Sequence, residues 1–139
     1  MKKIILLLFL IPNLVMAESY LCITDASGGV RFNERNDKYE GTGFKEGRKY
    51  ILKKLRNSEE YVQEWANWSW NKFGEKNENI NLTDCKYVEA IGLLKCDTSG
   101  GQLWFNYKKL RFALTEMFGF YGSDPNDDTY LEVGSCSKI

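Results

Sequence analysis

Histidine is absent from this 139-residue sequence, and proline occurs only twice. Without histidine, Ser-His-Asp triads, Cys-His dyads and histidine-ligated metal sites are all excluded. No Cys-x-x-Cys pair, Gly-x-Ser-x-Gly elbow, phosphate-binding glycine loop or dinucleotide fingerprint is present. An excess of one charge is lacking too, since nineteen Lys and Arg balance nineteen Asp and Glu. Nucleic-acid and anionic-membrane partners usually leave a basic stripe, so neither is expected. The inventory points to a protein that is not an enzyme and needs no cofactor.

What is present begins with a leader. Lys2-Lys3, the apolar run Ile4–Ile11 and the small-x-small site Val15-Met16-Ala17 form a secretory signal pattern, with cleavage expected after Ala17. The run is too short for a confident membrane span, and no later stretch reaches the ~20 apolar residues a spanning helix needs. The expectation is a signal peptide over 1–17 and one periplasmic or secreted β domain over 18–139, monomeric and without a membrane span after cleavage. All four cysteines fall in that domain, an even number suited to an oxidising compartment. Three pairings are open. Cys85–Cys96, close in sequence, and Cys22–Cys136, tying the two ends together, are favoured. A zinc site would need ligand spacings the chain does not have.

Period-2 alternation runs through most of the domain. The clearest case is a hairpin in which Leu103, Phe105 and Tyr107, then Leu110, Phe112 and Leu114, share one face. Strands are also expected over Ser19–Thr24, Val30–Asn33, Tyr39–Phe44, Lys49–Leu55, Asn67–Phe73, residues 91–96 and Thr129–Cys136. Ser27-Gly28-Gly29 reads as a break and Gly74–Asp84 as a polar loop. Ser58 followed by two glutamates suggests one short helix over Glu59–Glu64. The fold class is therefore mostly β, an antiparallel small barrel or sandwich of about seven or eight strands. An echo, Asp-x-Ser-Gly-Gly at Asp25–Gly29 and Asp97–Gly101, each followed by an extended run to Phe-Asn, raises an internal duplication.

Aromatics are abundant, with four Trp, eight Tyr and eight Phe. Most should fill a core, but Trp65, Trp68, Trp70 and Trp104 are candidates for a barrel mouth holding a small apolar ligand. Asp124, Asn126 and Asp128 have the opening spacing of a calcium loop, although Thr129 and Ser135 stand where the glycine and the bidentate glutamate belong. The basic cluster Lys45, Arg48, Lys49, Lys53, Lys54, Arg56 reads as a solvated strand face. Glu116 and Glu89 sit in the most apolar settings of the acids, with a surface or edge position expected for both.

The succession Tyr20-Leu21-Cys22, Tyr50-Ile51-Leu52-Lys53, Gly92-Leu93-Leu94-Lys95-Cys96 and Thr129–Cys136 resembles an uncharacterised family of small exported proteins of proteobacteria and their phages. That resemblance implies a secreted β domain and no particular activity. In size, disulfides and expected barrel alone, the chain is similar to periplasmic lysozyme inhibitors. Two functions follow as expectations. One is a non-enzymatic binding protein for an unknown protein or small molecule, of the inhibitor or immunity type or with a ligand in the barrel mouth. The other is a small carboxylate-dependent hydrolase acting on cell-wall polymer. A cleft lined by two acids would mark the second, and a packed interior beside an exposed aromatic patch the first.

Overall fold

A computed structural model describes residues 18–44, 46–55, 68–74, 79–117 and 129–139, the side chains of 79–81 excepted. Ten strands lie within them: β1 (Ser19–Asn33), β2 (Lys38–Gly43), β3 (Lys49–Lys54), β4 (Trp68–Lys72), β5 (Asn79–Asn81), β6 (Thr83–Val88), β7 (Leu93–Asp97), β8 (Gly101–Asn106), β9 (Arg111–Glu116) and β10 (Thr129–Lys138). They form one sheet in the order β5-β4-β3-β1-β10-β9-β8-β7-β6, with β2 added to β1. The sheet curls into a nearly closed antiparallel barrel of eight strands. Among the described residues, helix is reduced to a 3-10 turn at Glu89–Ile91. The helix expected over Glu59–Glu64 and the calcium-type residues Asp124, Asn126 and Asp128 lie outside them.

The β8–β9 hairpin shows why the pattern folds this way. Leu103 faces Leu114 and Phe105 faces Phe112 across the pair, and all four are buried. Each such side chain, removed from water, contributes about 1.5–3 kcal/mol. The turn between the strands is set by Asn106, whose Oδ1 accepts the backbone N–H groups of Lys108 (3.2 Å) and Lys109 (2.8 Å). Inside the barrel these four pack with Tyr20, Leu52, Trp68, Trp70, Leu82 and Leu94. The middle of the barrel is thus filled by side chains.

Both favoured disulfides form. Cys22–Cys136 joins β1 to β10 at directly opposed positions, and Cys85–Cys96 joins β6 to β7. The first ties the opening strand of the domain to its last.

Two local expectations are corrected. Ser27-Gly28-Gly29 does not break the chain, because β1 runs through it for 15 residues. One edge of β1 pairs with β10, and the other pairs first with β3 and then with β2. Beyond Val30, among the described residues, only β2 accompanies it, as an arm. The second copy of the echo, by contrast, does turn between β7 and β8, so the motif is not a repeated turn. What the copies share is a close approach. A Cβ on Gly29 would lie 2.0 Å from the Thr129 carbonyl oxygen, and one on Gly101 would lie 1.7 Å from that of Thr115. Gly29, Tyr130, Glu116 and Gly101 form a single row across β1, β10, β9 and β8. The tightly coiled sheet leaves room only for glycine at both ends of that row. The second correction concerns Gly74–Asp84, where Asn79–Asn81 pairs with Ser69–Asn71 as β5. A short strand at a sheet margin limits edge-to-edge pairing, and three residues, Asn79-Ile80-Asn81, are too few for their alternation to stand out in an Asn-rich stretch.

Candidate functional site

The two ends of the barrel differ in chemistry. Alternation along β10 turns Glu132, Gly134 and Cys136 inward and leaves Leu131 and Val133 exposed. Glu132 is 0% exposed, so its charge requires partners. It forms an ion pair with the Arg48 guanidinium and accepts hydrogen bonds from Tyr50 Oη (2.8 Å) and Thr24 Oγ1 (3.2 Å). Arg48 in turn lies 5.6 Å from the Tyr130 ring and 6.0 Å from the Phe44 ring, within cation–π range. Burial, reinforced by Glu132, drives the Tyr50 phenol far above its ordinary range. Tyr130 is pushed up to about 12 by burial and by the Glu116 and Glu132 carboxylates. Arg48, grouped by sequence with a solvated basic face, is instead the counter-ion of the core.

Glu116 faces Tyr130 across the ladder and is buried, not at the surface or edge as its sequence setting suggested. Its Oε1 accepts a hydrogen bond from Thr98 Oγ1 at 3.0 Å, and its Oε2 has no hydrogen-bond partner among the described residues. Burial pushes this carboxyl above its ordinary range, against the opposing effect of the Thr98 hydrogen bond. An acid raised in this way holds its proton more tightly in the folded chain than in the unfolded one. Stability therefore falls as pH rises through the window between the two values. Glu116→Gln is expected to raise the thermal midpoint at neutral pH. The gain should vanish below about pH 4, where unfolded-chain glutamate is itself protonated; melting curves across that range check this.

These two acids do not make a hydrolytic pair. Glycoside hydrolysis needs one carboxyl to donate a proton and a second, free carboxylate to act on water or sugar. Glu132 has both oxygens engaged and no exposed surface.

The opposite end carries an aromatic crevice. Glu18, Tyr20, Trp68, Tyr87, Leu94, Phe105 and Tyr107 line a cavity of about 100 Å³. Its walls come from both sides of the seam where β4 and β6 approach without pairing. Rings succeed one another around it: Phe105 to Tyr20 (4.8 Å), Tyr20 to Trp68 (6.4 Å), Trp68 to Tyr87 (6.4 Å) and Tyr87 to Tyr107 (6.1 Å). Trp68 is buried while Tyr87 is 48% exposed, so the crevice has a solid floor and an open lip. Glu18 stands at the rim, and burial followed by its charge raises the Tyr20 and Tyr87 phenols above their ordinary value.

Of the three tryptophans singled out by sequence that are described, Trp68 alone lines this crevice. Trp70 is wholly buried against Tyr50 (4.6 Å) and Phe112 (5.1 Å). Trp104 points outward beneath the Lys95 ammonium, 5.1 Å away. Trp65 lies outside the described residues. Sequence reasoning missed Tyr20, Tyr87 and Tyr107, which no spacing links because they reach the crevice from separate strands and a turn. A larger hollow of about 430 Å³ lies on the arm, lined by residues that include Arg31, Arg35 and Glu40. Glu40 is already held there by the Asn33 and Asn36 side-chain amides (both 2.9 Å).

Fold and site together define a small disulfide-bonded antiparallel barrel with a closed polar end and an open aromatic end. No family model, no curated protein and no solved structure matches the chain. No helix among the described residues is long and apolar enough to cross a membrane.

Proposed function

We propose that this is an exported, non-enzymatic binding protein that meets its partner or ligand at the aromatic crevice. The observation that carries the reading is the contrast between the two ends. Glu116 and Glu132 are sequestered, while Trp68, Tyr87 and Tyr107 line a cavity at the other end. Aromatic walls contribute large contact area at low entropic cost, which suits recognition. The disulfides support an oxidising compartment, and with the signal pattern they favour the periplasm or the medium.

Native mass spectrometry of the protein purified from that compartment tests the reading. The wild-type chain should carry a non-covalent mass that Tyr87→Ala loses, with both proteins equally folded. Tyr87 is the right position because half its surface is already exposed, so its removal costs little packing. Release of soluble fragments from cell-wall polymer, abolished by Glu116→Gln, would instead establish the hydrolase.

A further inference from the structure

The crevice has a charge pattern that an apolar pocket does not need. We infer that it recognises a positively charged ammonium group, held between the faces of Trp68, Tyr20 and Tyr87 and the Glu18 carboxylate. This rests on the binding role proposed above and names the chemistry of what is bound.

Three observations lead there. First, aromatic rings line the cavity, with Tyr20 stacked on Trp68, Trp68 edge-on to Tyr87 and Tyr87 edge-on to Tyr107, and the half-exposed Tyr87 ring is accessible to a guest at the lip. A cation near several such faces gains from each ring quadrupole, most when it is partly desolvated. Second, the one charged residue lining the cavity among the described residues is an acid, Glu18. Third, the protein already places a cation at this rim. The Lys54 ammonium lies 6.0 Å from the Trp68 ring centre and 3.8 Å from Glu18 Oε2. The ladder fixes this arrangement, because the Lys54 N–H donates to the Glu18 carbonyl at 2.9 Å. Lys54 and Glu18 are both substantially exposed, so the lysine is a replaceable occupant and not part of the core. A ligand ammonium would take its place on the tryptophan and the carboxylate, leaving the lysine side chain to swing into water.

This predicts an unusual mutational signature. Removing Lys54 should strengthen binding, because the resident competitor is gone, and removing the charge of Glu18 should weaken it. The test is calorimetric titration of the disulfide-bonded protein with choline, with choline's uncharged carbon analogue (a tert-butyl group in place of trimethylammonium) and with N-acetyl-lysine amide. A chain processed after Ala17 carries an α-ammonium at the same rim, so the titration is run at about pH 9, where that group is mostly neutral. Choline or the lysine amide should saturate a single site, with the uncharged analogue weaker by roughly three- to tenfold. Lys54→Gln should tighten, and Glu18→Gln loosen, the charged probe by a similar factor, with the uncharged probe unmoved by Glu18→Gln. Tighter binding of choline points to a quaternary ammonium compound, and tighter binding of the lysine amide to a lysine side chain of a protein partner.

Equal binding of the charged and uncharged probes would overturn the ammonium assignment while leaving the crevice as a binding site. A co-purifying mass that Tyr87→Ala retains in full would remove the crevice itself. Failure of both ammonium probes to bind Lys54→Gln, in a protein whose co-purifying mass does depend on Tyr87, would overturn the ammonium assignment alone.

Discussion

The Cys22→Ala/Cys136→Ala variant is expected to lose about 5 kcal/mol of stability, against about 3 kcal/mol for Cys85→Ala/Cys96→Ala. The difference comes from the unfolded chain. Each bridge joins neighbouring strands, but the first closes a loop with a sequence separation of 114 residues and the second one of 11. The longer loop removes more unfolded conformations. A loss of that size is comparable with the ~5–15 kcal/mol by which a whole domain is usually stable. Without the first bridge, β1 and β10 depend on their hydrogen bonds alone to find each other across nearly the full chain, a slow long-range pairing. Urea unfolding of the two double variants, compared with wild type, measures the order directly. Equal losses would mean that strain in the folded bridges, not loop entropy, sets their contribution.

Arg48→Met should be nearly as damaging, with an expected loss of about 3–5 kcal/mol. Methionine keeps much of the side chain's length but removes the guanidinium that lies over Phe44 and Tyr130. Among the described residues, Glu132 would then retain only the Tyr50 and Thr24 hydroxyls around a fully buried carboxylate. The damage lies in the orphaned partner, since a buried ion pair is not itself strongly stabilising once desolvation is counted. Adding Glu132→Leu to Arg48→Met should therefore recover much of the loss, although each single change is harmful. Chemical denaturation of the two singles and the double closes that cycle. Additive losses would show that Arg48 and Glu132 act independently.

The legible part of this protein was its alternation. Leu103, Phe105, Phe112 and Leu114 repeat every second residue, and period 2 is the direct geometric signature of a half-buried strand. The disulfide pattern was legible because four cysteines allow only three pairings, and Cys85 and Cys96 are close in sequence. Glu132 escaped because Leu131 and Val133 look like the core residues of their strand. A stricter use of the same periodicity would have found it. Cys136 must face inward to meet Cys22, and counting back by twos places Gly134 and Glu132 on the same face. Gly29 escaped for a different reason: glycine beside Ser-Gly signals a turn in sequence, whereas here it admits the Thr129 carbonyl. Tyr20, Tyr87 and Tyr107 were not legible at all. They come together only because barrel closure brings β4 to β6, a contact of tertiary origin.

The most direct measurement of where this protein binds uses its own tryptophans. Trp68 lies in the crevice, Trp70 in the core beside Tyr50 at the carboxylate end, and Trp104 on the outer face beneath Lys95. Their indole N–H resonances, recorded on nitrogen-labelled protein before and after addition of an extract of its own compartment, therefore report three separate places. The account predicts that the Trp68 signal moves to saturation while those of Trp70 and Trp104 stay fixed, and that Tyr87→Ala abolishes the change. Movement of Trp70 with Trp68 unchanged would place the site at the Glu116 and Glu132 end and contradict it.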